Sequence, residues 1–83
     1  MNTGKDKSDY NYMSFAEATM ICFKNNVFIY RVSIGNDSMK IEIDYDGRKK
    51  LGSDTYRWRT QQKEMDKKIK ELYDTIARKI QDR

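Results

Sequence analysis

The stretch Val27 to Tyr45 constrains this chain most, because apolar and polar residues alternate on both sides of Gly35-Asn36-Asp37. Such alternation marks a half-buried strand. In VFIYRVSI, Phe28, Tyr30, Val32 and Ile34 share one face, with Arg31 and Ser33 on the other. In SMKIEIDY, Met39, Ile41, Ile43 and Tyr45 lie opposite Lys40, Glu42 and Asp44. A two-residue loop at Gly35-Asn36 pairs Val32 with Met39, Tyr30 with Ile41 and Phe28 with Ile43, and a four-residue loop keeps the same faces. The expected core face is therefore Phe28, Tyr30, Val32, Met39, Ile41 and Ile43.

A second turn follows at Tyr45-Asp46-Gly47. Read as a three-residue loop with Gly47 in the left-handed position, it sets Asp44 opposite Arg48 and Glu42 opposite Lys50. Leu51 then faces Ile41 on the apolar side. The paired acids and bases read as a solvated salt-bridge ladder, not as a general acid/base couple.

Helices flank this meander. Ser14-Phe15-Ala16-Glu17 has the pattern of a capping box, which predicts a helix over 15–24 that stops at Asn25-Asn26. Phe15, Ala18, Ile21 and Cys22 form its apolar stripe, widened by Met20 and Phe23. Near the other end, Met65, Ile69, Leu72, Ile76 and Ile80 recur at helical spacing and predict a long amphipathic helix over about 61–82. Between Leu51 and this helix, Thr55 to Arg59 alternates like a short fourth strand, preceding a helix capped by Thr60. The competing reading starts the helix at Ser53 or Asp54. The polar residues 1–12 are expected to form a disordered leader, followed by one domain over 13–83.

These elements predict an α+β fold: an N-terminal helix, an antiparallel meander of three strands (a fourth over 55–59) and a long C-terminal helix. The order helix, three strands, helix resembles the double-stranded-RNA-binding domain in topology. That family carries a Pro-His element between its first two strands, which this chain lacks. Its second helix opens with a Lys-Lys-x-Ala-Lys run, where this chain has Gln61-Gln62-Lys63-Glu64. The resemblance is one of shape and assigns no function.

Composition narrows the chemistry. The 83 residues include no histidine and one cysteine, Cys22. Zinc sites of His and Cys, His-based triads and intrachain disulfides therefore cannot be assembled. The scattered glycines build no phosphate loop. No enzyme, metal or cofactor is expected, and Cys22 reads as a small buried hydrophobe. A lone cysteine with no signal-peptide pattern points to the cytoplasm, and no apolar run is long enough to span a membrane.

Charge is uneven: residues 1–47 carry five basic and seven acidic side chains, whereas residues 48–83 carry twelve and six. Arg48, Lys49, Lys50, Arg57 and Arg59 cluster around Trp58, with Lys63 just beyond. Cations that displace counterions from phosphate, beside an indole that stacks on a base, suit a nucleic-acid surface for DNA or RNA. The alternative is a protein-binding adaptor or inhibitor, including the kind that phages and other mobile elements encode. It would act through a sheet edge or through Met65, Ile69, Leu72, Ile76 and Ile80, with a homodimer through that helix as one form.

Overall fold

The computed structural model of the chain describes residues 13–82, so the expected leader over 1–12 lies outside the described residues. Helix α1 (Phe15–Lys24) begins at the predicted box: the Glu17 amide donates to Ser14 Oγ at 3.1 Å, and the Ser14 amide donates to Glu17 Oε1 at 3.2 Å. Asn26 ends it in the left-handed region, at φ 61°. Strands β1 (Val27–Ser33), β2 (Ser38–Tyr45) and β3 (Arg48–Leu51) form an antiparallel meander, and β4 (Tyr56–Arg57) pairs with the start of β2 on the same side as β3. Helix α2 (Gln62–Gln81) follows, so 55–59 contributes a strand and not a helix start. Its N-cap is Gln61 without a side-chain cap bond, in place of the expected Thr60. The α+β architecture is that read from the sequence.

Both hairpin registers differ from expectation by one residue. Ile34 donates to Ser38 across the three-residue loop 35–37, so Ser33 pairs with Met39, Arg31 with Ile41 and Ile29 with Ile43. An odd loop length inverts the facing of β1 relative to an even one, because the side-chain period is two. Val27 and Ile29, not Phe28, Tyr30 and Val32, therefore join Met39, Ile41 and Ile43 on the helix side. At the second turn, Asp46 (φ 54°) and Gly47 (φ 91°) form a two-residue loop with both residues left-handed. Asp44 consequently pairs with Lys49 and Glu42 with Leu51, instead of with Arg48 and Lys50. Leu51 leaves the apolar side altogether.

The core is small and lies on one face of the sheet. Ala18 and Cys22 of α1, Val27 and Ile29 of β1, Ile41 of β2, and Met65, Tyr73 and Ala77 of α2 are buried. Ile69, Leu72, Ile76 and Ile80 pack against them as partly buried neighbours. Tyr73 joins the layers. Its hydroxyl accepts from the Ile29 amide at 2.9 Å and donates to the Ile29 carbonyl at 3.1 Å. Phe15 and Phe23 meet its ring edge-on, and the Cys22 thiol donates to its carbonyl at 3.6 Å.

Tyr73→Phe keeps the ring and orphans two buried backbone groups of Ile29. It is expected to lower stability by about 1–3 kcal/mol, read from urea unfolding with an unchanged m-value. Burial pushes the Cys22 thiol above its ordinary 9.0. The folded thiol then stays protonated where the unfolded one ionises, so its contribution to stability falls as pH climbs past that value. Comparing the urea midpoints of wild type and Cys22→Ala at neutral and alkaline pH should give a shallower alkaline decline for the variant.

Candidate nucleic-acid interface

The predicted basic cluster lies along one edge of the sheet, where β3 and β4 share β2 as their partner. The two strands are one edge interrupted. Gly52 donates to the Ile41 carbonyl at 2.7 Å, after which the chain bulges outward and rejoins β2 where Tyr56 pairs with Met39. A Cβ on Gly52 would lie 3.0 Å from the Ile41 carbonyl oxygen, so this approach suits glycine. Lys40 holds the bulge through hydrogen bonds to the Gly52 and Ser53 carbonyls, at 3.2 and 3.0 Å.

Strand geometry divides the cations. Arg48 pairs with Tyr45 and Lys50 with Ile43, so both point to the helix side, whereas Lys49 pairs with Asp44 and points away. Arg48, Lys50, Tyr45 and Ile43 meet Ile76 and Lys79 of α2 around a groove of 410 Å³. The ion pairs among the described residues involve none of Arg48, Lys50 and Lys79. Tyr45 and Lys79 are members that spacing alone does not single out, because they come from different elements.

Arg57, Trp58 and Arg59 sit at the other end of the edge, organised by Asp37 of the β1–β2 loop. The Asp37 carbonyl accepts from the Trp58 amide and its Oδ1 from the Arg59 amide, both at 3.0 Å. Its Oδ2 lies 3.7 Å from the Arg57 guanidinium. Gln61 Oε1 accepts from the Arg57 amide at 2.7 Å and completes the turn. Trp58 remains 41% exposed, with the Arg31 guanidinium over its ring at 5.4 Å. Arg31 also pairs with Asp66 at 3.4 Å. Arg31 is thus a further cation at this end, 27 positions from Trp58 in sequence and brought there by folding. Lys63 is exposed in the first turn of α2.

The two basic ends are separated by the bulge, where Tyr56 is half-buried. Burial raises the Tyr56 phenol above its ordinary range, and the charges of Asp54, Glu64 and Glu71 raise it further. Lys40 and Lys68 lie at the same place, so the bulge carries charges of both signs.

The helix stripe considered as a partner surface occupies a different place. Met65 is wholly buried, while Ile69, Leu72, Ile76 and Ile80 retain only partial exposure against the core. No three His, Cys, Asp or Glu side chains among the described residues are grouped to hold a metal, and no helix among them is long and apolar enough to cross a membrane. Comparison with protein-family models, curated proteins and solved structures finds no match.

Asp37→Ala removes one backbone cap and one ion pair while leaving the Trp58 amide bond in place. Hydrogen exchange at the Arg59 amide should accelerate, with a stability loss of about 1 kcal/mol for this partly exposed carboxylate.

Proposed function

We propose that this chain is a small, non-enzymatic nucleic-acid-binding accessory protein of the cytoplasm, engaging unpaired DNA or RNA at the β3–β4 edge. The observation that carries the reading is Trp58: a large indole left 41% exposed between Arg57 and Arg59 in the chain, with the Arg31 guanidinium at its ring. An exposed aromatic flanked by cations combines a stacking surface for a base with charge for the adjoining phosphates. Arg48, Lys49, Lys50 and Lys63 extend the cationic surface, and the groove that Arg48 and Lys50 share with Lys79 gives phosphate a second contact. The cytoplasmic assignment rests on the single buried thiol, which suits a reducing compartment.

A protein-binding role through the helix has less surface to draw on, because its apolar stripe already covers the core. The edge of β1 is likewise occupied at Ile29 by the Tyr73 hydroxyl.

Binding to labelled single- and double-stranded DNA and RNA across a salt series tests the proposal. Micromolar or tighter binding is expected, favouring single strands and weakening steeply with salt. Arg57→Ala combined with Arg59→Ala should abolish it at moderate salt, and Trp58→Ala should cost about 1–3 kcal/mol for each stacked base. Absence of binding at low salt would overturn the assignment.

A further inference from the structure

The helix side of the sheet has one place at its edge that no side chain fills. Successive rows there run Ser33, Met39 and Tyr56, then Arg31 and Ile41, then Ile29, Ile43 and Lys50. In the middle row the edge position falls to Gly52, which donates to the Ile41 carbonyl and has no side chain to offer. A cleft of 230 Å³ results, with Ile41, Ile43 and Leu72 as its apolar lining. Asp54, Tyr56 and Lys68 bring polar groups to it. An apolar lining with a few converging polar groups is the usual make-up of a small-ligand site.

The charged groups of this cleft are unengaged. Asp54 and Lys68 both line it, yet among the described residues neither joins an ion pair or a side-chain hydrogen bond. The carboxylate comes from the bulge and the ammonium from α2, so an acceptor and a donor border one apolar space.

We propose that this cleft holds a single unpaired guanine base, an assignment that rests on the nucleic-acid reading of the same edge. A carboxylate has two acceptor oxygens and takes two parallel N–H donors. Guanine presents such a pair, its ring N1–H beside its exocyclic amine, with the O6 acceptor next to them for a lysine. Uracil and thymine set a carbonyl on each side of one N–H. Adenine and cytosine set their amine beside a ring nitrogen that accepts. Each of these four brings an acceptor against the carboxylate. At 230 Å³ the cleft lies under the roughly 300 Å³ at which drug-sized pockets begin, which suits one base. It shares Ile43 with the groove of Arg48, Lys50 and Lys79, so the phosphates of the bound nucleotide lie toward those cations. Trp58, two positions beyond Tyr56, is left for a neighbouring base.

Fluorescence anisotropy of the full chain with short labelled oligothymidylates tests this, using an all-thymine strand and strands with one central guanine or inosine. Guanine is expected to tighten binding about tenfold over thymine. Inosine lacks the exocyclic amine and should lose most of that gain. Asp54→Asn should abolish the preference and leave affinity for the all-thymine strand unchanged; Asp54 is exposed, so the fold tolerates the change. Equal affinity for the three strands overturns the proposal and leaves the nucleic-acid surface standing, as does a guanine preference that survives Asp54→Asn. Free guanosine monophosphate separates the two readings in the other direction. If no oligonucleotide binds, yet guanosine and not cytidine monophosphate shifts the Ile43 and Leu72 methyl resonances, the cleft stands and the surface falls. Silence toward every probe overturns both.

Discussion

A single phenol holds this fold together. The backbone groups of Ile29 point away from β2, since the residues that exchange hydrogen bonds with β2 are Phe28, Tyr30 and Val32. Tyr73 reaches them from α2 and satisfies both donor and acceptor in two buried hydrogen bonds. Its position fixes how α2 lies against the sheet. The ring then provides the surface on which Phe15 and Phe23 of α1 rest. An 83-residue chain with so small a buried core depends heavily on such a join, because helix propensity and strand pairing alone do not orient layers.

The sequence made the elements legible and left their facing open. The capping box at Ser14 and Glu17 is local chemistry, and α1 spans the residues it predicts. The stripe of α2 repeats often enough to identify both the helix and its inward face. The strands carry their alternation clearly, yet which β1 residues enter the core depends on the length of the loop. Gly35-Asn36-Asp37 accommodates either parity from composition alone. Three loop residues rather than two turn Phe28, Tyr30 and Val32 outward and bring Val27 and Ile29 inward. The run VFIY could not arbitrate, being apolar on both sides. The candidate site was legible in part for the same reason. Trp58 and its flanking arginines are adjacent in sequence, whereas Arg31, Asp37 and Lys79 reach their positions only through pairing and packing.

Electrostatics on the β3–β4 edge follow from the two-residue turn at Asp46-Gly47. Consecutive basic residues in a strand cannot form a single patch, since Lys49 must face away from Arg48 and Lys50. The Arg48 and Lys50 pair finds Lys79 across the groove, and the turn at 57–59 is set by Asp37 at the opposite end.

The interruption at Gly52 has a consequence for how the chain can fail. A sheet edge with a long unbroken row of amides and carbonyls is a template on which further strands can add without limit. Here one edge is split by a bulge whose carbonyls are taken by Lys40, and the other is stopped midway by the Tyr73 hydroxyl. Neither edge offers a run long enough to seed open-ended growth into fibres.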